Sequence, residues 1–119
     1  VGQVVWVDND QAIDAVTALS GSGPAYVFLF LESLMAGAQA LGLSAEQART
    51  LALATLSGST QLAAESTETP AVLRERVTSK GGTTAAALDV FAQQHFSTII
   101  AQAMAAATPA EPPPTMTAS

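Results

Sequence analysis

Apolar positions along this chain recur mostly at helical spacing and are interrupted by capping and turn residues. Val4, Val5, Trp6 and Val7 make a short β-prone run, too short for a sheet of its own. It predicts the last strand of an upstream domain, or the linker from it. Asp8, Asn9 and Asp10 then offer N-cap oxygens for a first helix over about 9–19, with Ile13, Val16 and Leu19 on one face. The stretch Ser20–Gly23 is expected to break that helix, so that two helices meet at a turn. Pro24 suits the first turn of the second, where its missing N–H costs nothing. That helix runs to about Leu41 and closes at Gly42. Val27, Phe28, Leu29, Phe30, Leu31, Leu34 and Met35 surround it, so it is expected to be buried on nearly every side.

Ser44 and Gln47 form a capping-box pair for a third helix over about 45–65. Ala48, Ala52, Thr55 and Ser59 share one stripe of it, small enough for another helix to approach closely. Thr69 and Pro70 open a short fourth helix with Leu73 and Val77 expected to face inward. After the polar loop Thr78-Ser79-Lys80-Gly81-Gly82-Thr83-Thr84, a fifth helix is predicted over about 84–91 and a sixth over about 95–107. From Thr108 the chain turns to Pro, Thr, Ala and Ser, which predicts a disordered tail over 108–119. The expected layout is a linker over 1–8, a helical domain over 9–107 and that tail.

Composition sharpens this picture. Charged residues make up 12% of the 119, about half the usual share, while 49% are hydrophobic. A chain so poor in charge is expected to bury its surface against another subunit or an absent domain. The formal charge of -6 with four basic residues excludes a phosphate-tracking stripe, hence no nucleic-acid partner is expected. With no cysteine there is no disulfide framework and no thiolate metal site, which is compatible with a cytoplasmic location. The uncharged run Ala15–Leu31 resembles a membrane span, but the Ser20–Pro24 interruption and Glu32 favour two helices. No membrane partner is expected.

Two segments are candidates for chemistry. Thr17-Ala18-Leu19-Ser20-Gly21-Ser22-Gly23-Pro24-Ala25-Tyr26 imitates a dinucleotide fingerprint, yet its third glycine is absent and a helix precedes it. It reads either as a glycine corner for tight packing or as a bare backbone surface for a flat ligand. The corner is the commoner use of such glycines. In Val77–Thr84, glycines and a following helix start let backbone N–H groups converge on a carboxylate or phosphate. Ser79, Thr83 and Thr84 add hydroxyls. A simply capped helix start explains the same residues. No acidic or histidine cluster has metal-ligand spacing, and His95 reads as a solvated helix-start residue.

Together these two segments resemble the pyrroline-5-carboxylate reductase family, over about residues 1–105. One departure is Lys80, where proline is more usual. The other is that no amino-terminal Rossmann domain is present. The resemblance implies an all-α fold, a helical bundle like the carboxy-terminal domain of 6-phosphogluconate dehydrogenase, interlocked as a homodimer and possibly a higher oligomer. It implies NADPH or NADH, held mainly by the missing domain, and a small-molecule substrate, 1-pyrroline-5-carboxylate. An iminium is already a good hydride acceptor, so orientation matters more than a strong acid. By resemblance, Ser79, Gly82 and Thr83 hold the substrate carboxylate. Thr84 places its hydroxyl on the ring nitrogen as the catalytic contact. Ser20, Gly21, Ser22, Gly23 and Pro24 lie close to the nicotinamide. Two other functions compete. One is a pure oligomerisation module. The other is the helical domain of a different two-domain dehydrogenase, which would use a lysine as acid/base; Lys80 is the only lysine here.

Overall fold

The computed structural model describes residues 6–7 and 9–108. Among them there are helices and no strand: α1 (Asp10–Val16), a π-turn (Thr17–Gly21), α2 (Gly23–Ala40), α3 (Ala45–Glu65), α4 (Pro70–Arg76), α5 (Thr83–Gln93) and α6 (Phe96–Ala106). The fold class is all-α, as expected. Trp6 and Val7 have no regular structure. The rest of the expected linker over 1–8, and the tail beyond Thr108, lie outside the described residues.

Most helix boundaries follow from side-chain capping. Asn9 caps α1: its Oδ1 accepts from the Ala12 N–H at 2.8 Å. Ser44 and Gln47 satisfy each other's backbone N–H at 3.1 and 2.9 Å, a complete capping box. Thr69 accepts from Val72 N–H, with Pro70 in the first turn. At the end of α2, Gly42 adopts φ 107, and the N–H groups of Leu43 and Gly42 reach back to the carbonyls of Ala38 and Gln39. That is a Schellman closure, which the left-handed glycine makes possible. His95 closes α5 with φ 58 and donates its N–H to the Ala92 carbonyl. It is therefore a helix-ending residue of α5, not the opening residue of α6.

The expected break at Ser20–Gly23 is a correction. The helical run does not end there: Asp10–Ala40 is one run of 31 residues that includes a wider π-turn at Thr17–Gly21. Within the π-turn the Ser22 N–H reaches the Thr17 carbonyl at 3.0 Å, five residues back. Thr17 and Ser20 hydroxyls donate to the carbonyls of Ile13 and Val16. Such back-bonding perturbs regular helix geometry. A proline ring also clashes with the carbonyl four residues earlier in an α-helix, here that of Ser20. A wider turn relieves both effects without ending the helix.

The chain forms two compact units, residues 1–24 with 97–119 and residues 25–96. In the first, Ala18 is buried. In the second, Ala48 is fully buried and Ala52 is nearly so, whereas Thr55 and Ser59 are exposed, so only the first half of the small-residue stripe on α3 is packed. Phe96 packs edge-on against Phe91 at 5.1 Å between centroids and tilted against Phe30 at 6.4 Å, favourable arrangements for aromatic rings. Large apolar side chains are otherwise poorly covered: Leu41 is 90%, Phe28 66% and Val77 68% exposed. The expectation that α2 is buried on all sides and that Val77 faces inward therefore does not hold within one chain. Among the described residues only three alanines are buried.

Because Ser44 satisfies an N–H that no other group of α3 can reach, Ser44→Ala should destabilise the fold by about 1 kcal/mol. Thermal melting followed by circular dichroism should show a Tm lower by roughly 4–8 °C.

Candidate functional site

The loop between α4 and α5 is built by three local interactions. Thr78 Oγ1 donates to the Arg74 carbonyl at 2.6 Å, closing α4. Glu68 and Arg76 pair at 3.1 Å across the short helix, an exposed contact of small energetic weight. Ser79 then accepts the Gly82 N–H at 3.0 Å, which folds Ser79-Lys80-Gly81-Gly82 into a β-turn. Gly81 has φ 74 and Lys80 is not in the left-handed region. This is the pattern of a type II turn, in which the third residue must be able to take positive φ.

Gly82 leads the turn into α5 as its N-cap, in extended conformation, and no side chain caps it. A Cβ at Gly82 would lie 3.2 Å from the Ser79 carbonyl oxygen, a tight contact that would press the turn open by a few tenths of an ångström. Ala86 N–H reaches the Gly82 carbonyl, while the N–H groups of Thr83, Thr84 and Ala85 precede the first intrahelical donor. Their dipoles add at the start of an eleven-residue helix. Among the described residues the hydroxyls of Ser79, Thr83 and Thr84 have no hydrogen-bond partner, and all three residues are exposed. Local folding thus gathers Ser79, Gly82, Thr83 and Thr84 at one helix start; the Gly82 N–H is taken by the Ser79 carbonyl, so the donors left for an acceptor-rich ligand are the N–H groups of Thr83, Thr84 and Ala85 and the hydroxyls.

Ser20, Gly21, Ser22, Gly23 and Pro24 occupy the π-turn and the opening of α2. Ser20 is engaged with the Val16 carbonyl at 2.8 Å, so its hydroxyl is less available than the sequence suggests. Gly23 faces open space: an added Cβ would meet nothing within 4 Å. At Gly21 it would meet the Thr17 methyl at 3.5 Å, ordinary contact. The π-turn itself was not anticipated. Its sequence signal is the combination of Thr17 and Ser20 with Pro24 four residues after Ser20. The segments 20–24 and 79–84 lie in different units, and each is described by itself. Among the described residues no group of three or more His, Cys, Asp or Glu could hold a metal ion.

An all-helical chain with so little apolar cover of its own is a domain made for association. Residues 10–111 match the family described as pyrroline-5-carboxylate reductase dimerisation, and the chain belongs to that family. It is 47% identical over 108 residues to a pyrroline-5-carboxylate reductase of Pseudomonas aeruginosa, covering 91% of this chain and 40% of that protein. Among solved structures, a pyrroline-5-carboxylate reductase from Coxiella burnetii is 40% identical with a TM-score of 0.86, over 89% of this chain and 39% of that one. A Plasmodium falciparum pyrroline carboxylate reductase with NADP bound is 35% identical with a TM-score of 0.82, over 87% and 42%. The chain thus spans about 40% of the length of the curated relatives it matches.

Lys80 occupies the second position of the type II turn, where proline is preorganised. Lys80→Pro should therefore stabilise the chain by about 0.4–1 kcal/mol, chiefly by restricting the unfolded state. A raised denaturation midpoint at unchanged slope in a urea titration would verify this; a lowered midpoint would show that the turn needs the Lys80 N–H.

Proposed function

We propose that this chain is the dimerisation and substrate-binding part, over residues 9–107, of a pyrroline-5-carboxylate reductase. The whole protein would reduce 1-pyrroline-5-carboxylate to L-proline with NADPH or NADH, as a cytoplasmic homodimer or a larger assembly. The observation that carries this reading is the uncapped start of α5 behind a glycine-closed turn, within a chain that belongs to the reductase dimerisation family.

The substrate carries a carboxylate beside a cyclic imine. The N–H groups of Thr83, Thr84 and Ala85, with the Ser79 hydroxyl, suit a carboxylate and need no cationic side chain. Thr84, at the second helical position, would direct its hydroxyl to the ring nitrogen and orient the C=N bond. A nicotinamide cofactor supplies the hydride that the imine carbon accepts. Its flat ring needs a surface without side chains, and the open space beside Gly23 fits that need. Such a cofactor is bound in the Plasmodium falciparum relative. Positioning is the protein's main contribution, because a protonated imine is already electrophilic.

The run Asp10–Ala40 is long and apolar enough to cross a membrane by length and hydropathy. We read it as an interface helix. Asp14 and Glu32 lie within it, and acidic groups in hydrocarbon are costly. A subunit interface accounts for the exposed apolar side chains without that cost.

Two measurements test the proposal. In the complete reductase, Thr84→Ala should reduce kcat/KM about tenfold with an unchanged melting temperature, since one hydrogen bond to the reacting ring is lost. Unchanged kinetics would remove Thr84 from the mechanism. Light scattering on this chain should give twice its 12.0 kDa mass or more; a well-folded monomer would sink the interface reading.

A further inference from the structure

From Val77 to Leu88 the chain carries a single charged residue, Lys80. It stands at the second position of the turn that delivers Gly82 to the start of α5. Lys80 is exposed, and among the described residues its side chain makes no ion pair and no hydrogen bond. Thr83 follows three residues later, at most about 11 Å along a fully extended chain and less through a turn. The Debye length is about 30 Å at 0.01 M ionic strength, about 8 Å at 0.15 M and about 3 Å at 1 M. In dilute salt the field of Lys80 therefore reaches the free N–H groups of Thr83, Thr84 and Ala85 whichever rotamer the side chain takes. Near 1 M it is screened.

Resting on the reading of this helix start as the seat of the substrate carboxylate, we infer that Lys80 raises affinity for the anionic substrate through space, without touching the reacting atoms. The donors at the helix start are neutral, so Lys80 adds the one full positive charge of the segment to their dipoles. Opposite charges about 5–10 Å apart in water attract enough to change binding about two- to fourfold. The carboxylate keeps its charge while the imine is reduced, so the attraction is the same before and during hydride transfer. Such uniform binding lowers KM and leaves kcat alone. Proline at this position keeps the turn and forgoes the charge.

Steady-state kinetics of the complete reductase in dilute salt and near 1 M salt test the role. Lys80→Gln and Lys80→Pro should raise KM for the imine about two- to fourfold in dilute salt, with kcat and the cofactor KM unchanged, and should match the parent near 1 M. Lys80→Arg should keep the parent's values. Proline favours the turn and glutamine does not, so a rise shared by both belongs to the charge. Arg49→Gln removes an equal charge from α3 and should leave KM as it was; an equal rise there would assign the effect to net charge and overturn the inference. A parental KM for Lys80→Gln in dilute salt, or a rise that persists near 1 M, would overturn it as well. Thr84→Ala separates the two levels. If it lowers kcat/KM while the Lys80 variants behave as the parent, the site stands and the role of Lys80 falls. If Thr84→Ala and the Lys80 variants are all silent, the reading of the helix start falls with it.

Discussion

A helix that is apolar on all sides has to be covered from several directions, and this chain covers α2 only in part. Phe28, Leu29 and Val27 are exposed on it, and no residue with a large side chain is fully buried anywhere among the described residues. Burial of such side chains is the main favourable contribution to folding, about 1.5–3 kcal/mol for each one removed from water. A chain that leaves this many uncovered cannot offset its own conformational entropy from within. Membership of a dimerisation family gives the missing cover its physical sense: in the proposed dimer, folding and association would draw on the same apolar surface, and stability would depend on protomer concentration as well as on sequence.

Most of the secondary structure was legible because it is decided locally. The Ser44–Gln47 box, Thr69 with Pro70, and Gly42 each act within one turn of chain, and each stands where its side-chain chemistry places it. Burial was less legible, for the opposite reason. Periodicity says which face of a helix is apolar; it does not say which chain supplies the cover. Ala48 and Ala52 were readable as buried because alanine is satisfied by a close backbone approach. Val77 was not: its spacing marks an apolar face, yet no described part of the chain covers it and it stays exposed.

The segment Ser20–Pro24 shows why glycine and proline can mislead. Both end helices in most settings, and their density here predicted a corner. The outcome turns on hydrogen-bond accounting instead. Thr17 and Ser20 hydroxyls and the Ser22 N–H occupy the carbonyls of Ile13, Val16 and Thr17 through the wide turn, while the carbonyl that Pro24 leaves without its α-helical donor is that of Ser20. A sequence shows which donors are lost; whether others replace them depends on side-chain geometry that spacing alone does not specify.

The turn before α5 combines the two cases. Its glycines were legible as a site where backbone donors converge, but their division of labour was not. Gly81 supplies the positive φ, whereas Gly82 supplies the absence of a Cβ next to the Ser79 carbonyl. The two requirements differ, so alanine at 81 would be strained by its backbone and alanine at 82 by its neighbour. Lys80 meets neither requirement, which is why the turn admits it in place of proline. The geometry at the start of α5 thus rests on two glycines and one carbonyl. It is built by local contacts, whereas large apolar side chains of the same chain stay exposed.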